Sequence, residues 1–202
     1  MLSVWSVVCV PGPVRIGRTA HRLSRSLLQR LYGFDRWHVG HAGEPYAAAV
    51  VRYLNALPEV DREAVVEIGC GLGDMLRHLH ARDRLGLDRD AGAVAAARFL
   101  ARLQGGSPPR FDVFEFPRTP LTGVYHAIIM VNWIHEVETG ALRSAVQTYF
   151  SRNLRDRGRI VLDTVEDPAY MYNHDIHTLA PPGASVDHLG SYPRGRHVWV
   201  VR

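Results

Sequence analysis

The sequence predicts a single α/β domain: a mostly parallel sheet covered by helices on both faces, closed at one edge by an antiparallel hairpin and preceded by a helical cap. Three observations carry this. From residue 65 onward, strand-like and helix-like segments alternate, as in sheets whose parallel strands are joined by helical crossovers. The runs "AIIMV" and "IVLDTV" are almost wholly apolar, as strands buried on both faces must be. The tail "ASVDHLGSYPRGRHVWVVR" instead holds two extended pieces around a Pro-Arg-Gly turn, which reads as a hairpin.

The elements follow in order. Residues 19–32 read as a helix with Leu23, Leu27, Leu28 and Leu31 on one side, and "YGFDRWHVGH" after it is too irregular for a helix. "GEPYAAAVVRYLNAL" is a second helix with Pro45 in its first turn. "AVVEIG" is a strand, "GDMLRHLHA" a helix, "RLGLD" a strand and "AGAVAAARFLARL" a helix. "RFDVFEF" and "HAIIMVNW" are strands, "GALRSAVQTYFSRNL" is a helix and "GRIVLDTV" a strand. The cap spans residues 1–60 and the main unit residues 61–202; the cap serves equally as a packing element or as a substrate lid.

Length and composition set limits. With 202 residues, 47% hydrophobic and 22% charged, the chain is an ordinary globular domain with a full core. Cys9 and Cys70 form no disulfide framework and no metal spacing, so no metal is expected. The apolar start "MLSVWSVVCVPGPV" is too short to span a bilayer and breaks at Pro11 and Pro13. A cytoplasmic location without membrane attachment is the expectation. The net charge is +4, with arginine concentrated in the N-terminal third and at the far end. The cluster "RIGRTAHRLSR" fits a solvated face, an anionic-surface patch or a nucleic-acid contact; the lack of interleaved aromatics favours the first.

The chemistry-bearing stretch is "VVEIGCGLGD". A dinucleotide turn has the spacing G-x-G-x-x-G and a pyrophosphate at the following helix N-terminus. Here Gly69, Gly71 and Gly73 are spaced by two, and Glu67 and Asp74 flank them with negative charge that repels pyrophosphate. No Gly-Lys-Ser/Thr follows, so a triphosphate loop is excluded too. A phosphate-free, cationic cofactor such as S-adenosylmethionine suits an acidic rim. Asp88, ending "LGLD", stands where a carboxylate can accept hydrogen bonds from ribose hydroxyls.

"VVEIGCGLGDML" and "GLDRDAGAVAAARFL", followed by "HAIIMVNWIHEV" and "LRDRGRIVLDTV", resemble the ordered motifs of class I S-adenosylmethionine-dependent methyltransferases of small-molecule type. The resemblance covers roughly residues 60–165, with the tail matching the reversed last strand. It implies a Rossmann-like three-layer sandwich on a seven-stranded sheet. It also implies that Glu67, Gly69, Cys70, Gly71 and Gly73 shape the pocket for the methionine end and that Asp88 holds the ribose. Glu115 and Phe116 would lie at the adenine, and Asn132 at the methionine end.

Methyl transfer from a sulfonium is an in-line displacement helped by alignment and, for a hydroxyl acceptor, by a base. In "NWIHEV", His135 and Glu136 follow the fourth strand, where the family often carries a histidine near the reacting methyl. The order is His-Glu, the reverse of one common family pattern, which leaves open which of the two faces the pocket. Trp37 and His38, in "FDRWH", are candidates to close over the site. Tyr170, Tyr172 and His174, in "YMYNHDIHTL", are candidates for an acceptor wall; His174, Asp175 and His177 have too weak a spacing for a metal. The expected acceptor is a small molecule carrying a hydroxyl, such as a sugar, a glycan precursor or a secondary metabolite. Homodimerisation is open. A nucleic-acid methyltransferase is disfavoured because "NWIH" replaces the Asn/Asp-Pro-Pro-Tyr/Phe arrangement that holds a base amine. A non-catalytic cofactor-binding subunit is disfavoured because the acids and glycines of the turn are retained.

Overall fold

The computed structural model describes residues 18–39 and 43–202; Cys9 and the start of the cap lie outside them. The elements in chain order are α1 (Arg18–Tyr32), α2 (Pro45–Ala56), β1 (Ala64–Ile68), β2 (Asp83–Asp88), α3 (Ala91–Gln104), β3 (Arg110–Val113), β4 (Tyr125–Met130), α4 (Thr139–Arg152), β5 (Leu154–Val165), α5 (Ile176–Leu179), β6 (Val186–Tyr192) and β7 (Arg196–Val201), with single 3-10 turns between some of them. One seven-stranded sheet has the order β3-β2-β1-β4-β5-β7-β6. Strands β1 to β5 pair in parallel, and β7 runs antiparallel to both β5 and β6. This is the mostly parallel Rossmann-like sandwich with a reversed terminal hairpin.

The central strands are buried on both faces, which is why β4 carries the apolar run over residues 127–130. Val65, Ala127, Ile129, Val161 and Val198 meet Val50 and Leu54 of α2 and Val94 and Ala97 of α3 on one side. On the other, Val66, Ile128, Met130, Ile160 and Leu162 meet Leu142 and Val146 of α4 and Leu179 of α5. Helix α2, read from sequence as part of the cap, is thus one of the covering layers. Helix α1 lies outside, against α3, through Leu28, Ala93 and Ala96. Of the four leucines expected on its packing side only Leu28 is buried; Leu23, Leu27 and Leu31 are exposed. The inward place beside Leu28 belongs to Arg25.

The helix expected between β1 and β2 does not form. Residues 71–75 are turn, and only Leu76–His78 make a 3-10 turn. Met75, Leu76 and Leu79 have helical spacing and are buried, but the glycine turn uses up the first part of the connection and an α-helix does not fit in what remains. Backbone carbonyls that a helix would satisfy internally are taken by side chains. Arg77 binds Leu72 O, Arg84 binds Leu76 O and Leu79 O, Gln104 binds Arg77 O, Asn55 binds His78 O and Arg62 binds His80 O. Asn55 also accepts from His80 N, at 2.8 Å.

Candidate active site

The carboxyl ends of β1, β2, β4 and β5 meet where a doubly wound sheet places its ligand crevice. Glu67, near the end of β1, is 3% exposed, and its Oε2 has no hydrogen-bond partner. Burial first, then the Asp74 and Asp88 carboxylates, push its pKa well above the usual carboxylate range; Arg77 and the Leu76 N–H offset this only in part.

After β1 the chain turns through three left-handed glycines, Gly69 (φ 75°), Gly71 (φ 50°) and Gly73 (φ 70°). Gly69 N and Cys70 N both donate to Leu87 O, which ties the turn to the end of β2. A Cβ on Gly69 would lie 2.3 Å from the Trp133 ring, one on Gly71 2.9 Å from His38 Nδ1, and one on Gly73 2.4 Å from the Phe111 ring. The three glycines therefore admit close ring contacts as well as the bend itself. Cys70 is buried, and burial raises its thiol pKa well above normal.

Asp88 ends β2 nearly buried. Its Oδ2 accepts from Gly71 N at 2.7 Å and its Oδ1 from Asp90 N at 3.0 Å. Each oxygen keeps a second lone pair. Asp74 is gripped by Arg25 from α1 and by Arg77 from the turn. His38, in the 3-10 turn Arg36–Val39, lies over Gly71 with Nε2 3.7 Å from Asp90, while Asp35 N donates to Asp90 Oδ2 at 2.8 Å. The segment before α2 is thus fastened across the glycine turn. Trp37, its neighbour, sits at the surface, 41% exposed.

After β4, Asn132 takes a positive φ of 75°, a conformation asparagine adopts more readily than most non-glycine residues, and its surroundings hold it there. Its N–H donates to Asp163 Oδ1 at 2.8 Å, and Asp163, 1% exposed on β5, pairs with the buried Arg196 of β7. Arg196 stacks over Tyr46 at 4.7 Å and donates to Tyr170 Oη at 3.3 Å. Burial pushes the Tyr46 phenol pKa up, so it stays neutral. One chain of contacts therefore joins the turn after β4 to α2, the hairpin and the loop after β5.

His135 and Glu136 separate cleanly. His135 points inward, 2% exposed, its ring 4.0 Å from that of Tyr170; Glu136 points outward, 3.6 Å from Arg89. Of the two, His135 is the one turned toward the loop after β5. His174 is buried, with Nδ1 3.1 Å from Thr139 Oγ1 and Nε2 3.0 Å from Ile134 O, so both ring nitrogens have a partner in the protein. Tyr172 stacks on that ring at 5.9 Å, and its N–H donates to His135 O. Glu115 is exposed and paired with Arg118, and Phe116 lies edge-on to Trp133 at 4.9 Å. Among the described residues no group of three or more His, Cys, Asp or Glu side chains could hold a metal ion.

Sequence reasoning missed Trp133, Arg25, Asp163, Arg196 and Tyr46. Trp133 donates from Nε1 to Ile68 O at 2.6 Å and covers Gly69. Asp163 carried a usable signal, an acid inside the otherwise apolar run "IVLDTV".

No protein-family model matches the chain, and neither does any curated protein. Solved structures do. Magnesium protoporphyrin IX methyltransferase from Synechocystis PCC 6803, with bound SAM, superposes with TM-score 0.67 at 18% identity over 95% of this chain and 100% of that one. The N-methyltransferase NodS from Bradyrhizobium japonicum WM9, in complex with S-adenosyl-L-homocysteine, gives 0.64 at 15% over 88% and 96%. A TehB-like SAM-dependent methyltransferase from Corynebacterium glutamicum gives 0.60 at 16% over 91% and 98%. The chain shares with all three the fold of class I methyltransferases.

Proposed function

We propose that this chain binds S-adenosylmethionine and transfers its methyl group to a small molecule, at a hydroxyl oxygen. The observation that carries the reading is Glu67: a buried carboxylate with one oxygen unanswered, under a turn whose neighbours Asp74, Asp88 and Asp90 are also acidic. Such a place suits a cation. It does not suit a pyrophosphate, because no α-helix follows the turn and the nearby guanidiniums of Arg25 and Arg77 are engaged by Asp74. Two of the solved structures, the Synechocystis and Bradyrhizobium enzymes, hold SAM or S-adenosyl-L-homocysteine in the same fold.

Glu67 would meet the amino-acid end, the second lone pairs of Asp88 the ribose hydroxyls, and Phe116 with Trp133 the flat base. Bound there, S-adenosylmethionine supplies an electrophilic methyl on a good leaving group. The chain's own task is alignment. The Asn132–Asp163–Arg196 contacts fix the turn at the methyl end, and the segment carrying His38 excludes water above it. His135, with Tyr170 against its ring, is the group to take the proton of an acceptor hydroxyl. A sugar, a glycan precursor or a secondary metabolite is the acceptor class this reading names.

Calorimetry with S-adenosylmethionine and S-adenosyl-L-homocysteine tests the cofactor, and a labelled-methyl screen across hydroxyl, amine and thiol acceptors tests the oxygen preference. Labelling confined to amines refutes the latter. Binding of a nicotinamide or flavin dinucleotide, with neither sulfur nucleoside bound, refutes both.

A further inference from the structure

Helix α1 has the sequence "RTAHRLSRSLLQRLY", with no acidic residue in it. Its Leu23, Leu27 and Leu31 recur every four residues, share one side of the helix and are 68%, 59% and 69% exposed. The inward side belongs to Arg25 and Leu28, so most of the leucine side of an amphipathic helix is left facing outward. The stripe does not stand alone. Tyr32 at the end of α1 touches Phe99 of α3, ring centroids 6.0 Å apart, and Phe99 and Leu103 are themselves 40% and 69% exposed. Single exposed leucines are ordinary; a row of three continued onto a second helix is a patch.

Charge identifies its partner. Arg15, Arg18, Arg22, Arg25 and Arg30 all precede the first acid of the chain, Asp35. The whole chain carries only +4, so the residues from Asp35 onward sum to a slight negative excess, and this end is a long arginine-bearing stretch without an acid. We infer that α1, with the adjoining Phe99 and Leu103 of α3, docks on the surface of an anionic lipid bilayer, leucines in the acyl boundary and the exposed Arg30 at the headgroups, while Arg25 stays with Asp74. The contact is peripheral, since no helix among the described residues is long and apolar enough to cross a membrane. A second copy of the chain is the poorer occupant: pairing this face with itself brings together two ends rich in arginine with no acid before Asp35 to answer them. A nucleic acid would use the arginines but leave the leucines in water. Because α1 also sends Arg25 from its inward side to Asp74 of the glycine turn, the helix that would meet lipid is the one that borders the candidate site.

The test is co-sedimentation of the full chain with vesicles of phosphatidylcholine containing about 30% phosphatidylglycerol, against pure phosphatidylcholine, at low and high salt. The expected result is binding at least roughly tenfold stronger to the anionic vesicles at low salt, falling as salt rises. Leu27→Ser with Leu31→Ser should lower it by a further factor of about ten, and Arg30→Glu by several-fold. Arg30 is exposed, so its variant decides the matter if the double leucine variant does not fold. Equal binding to both vesicle types, or undiminished binding by the variants, overturns the inference. So does a lipid-free dimer in light scattering that the leucine substitutions dissolve, or a salt-sensitive shift with duplex DNA without vesicle binding.

Discussion

Glu67→Gln should change two properties in opposite directions. Glutamine keeps the size and one carbonyl oxygen but cannot ionise. In the free protein the carboxyl is 3% exposed and its pKa is held well above the usual range, chiefly by burial. A carboxyl with a raised folded-state pKa favours folding in acid, and this contribution is lost as pH rises from the unfolded value through the folded one. The substitution should therefore raise the melting temperature of the free protein at pH 8 and flatten its fall between pH 5 and pH 8. At about 2–4 °C per kcal/mol for a chain of this size, and about 1–3 kcal/mol for an unanswered buried polar group, the rise is several degrees. Binding moves the other way. A cationic ligand favours the ionised carboxylate, and losing a charge-assisted bond of about 1.5–3 kcal/mol weakens S-adenosylmethionine roughly 10- to 150-fold. The wild-type chain should also release a proton on binding, seen as a calorimetric enthalpy that varies with buffer ionisation enthalpy, and the variant should release less. Differential scanning fluorimetry across pH, paired with calorimetry in two buffers, reads all of this. A variant with unchanged affinity and a lower melting temperature would refute the assignment of Glu67 as the cation-facing group.

Removing one partner of the buried pair, as in Arg196→Leu, should cost about 3–5 kcal/mol in urea unfolding, whereas replacing Asp163 and Arg196 together by apolar residues should cost less. Gly73→Ala places a Cβ 2.4 Å from Phe111 at φ 70°, so a loss of about 2–4 kcal/mol is expected by the same measurement. His135→Ala should lower kcat by about 10²- to 10⁴-fold with cofactor affinity little changed, while Glu136→Ala, exposed against Arg89, should leave turnover within about twofold. Steady-state kinetics on the identified acceptor separates the two.

The fold was legible because its signals are local. Doubly buried strands print apolar runs such as β4, and a reversed last strand prints two extended pieces around a turn. Where reading failed, the deciding contacts were distant in sequence. "GDMLRHLHA" has a helix's spacing, but its carbonyls are claimed by Asn55, Arg62, Arg84 and Gln104, which no local pattern reveals. Of the α1 leucines only one packs, because the inward place at the neighbouring turn goes to Arg25, whose partner Asp74 lies 49 residues away. At the turn after β1, Glu67 and the glycines are marked as candidates by their spacing alone. Trp133 and Arg196 could not be, since each acts through a contact made only when strands far apart in the chain come side by side.

Those long-range claims on the stretch between β1 and β2 have a consequence for how the crevice can be altered. The glycine bend itself is tied to the end of β2, but the stretch that follows it is suspended from α2, α3 and β2 by side chains and has no α-helix of its own to hold it. A graft of residues 64–82 into another scaffold would carry the glycines and leave their scaffolding behind. Conversely, Asn55 and Gln104, which bind only the backbone beyond the bend, become remote levers: trimming either should loosen the crevice while leaving every side chain that lines it in place.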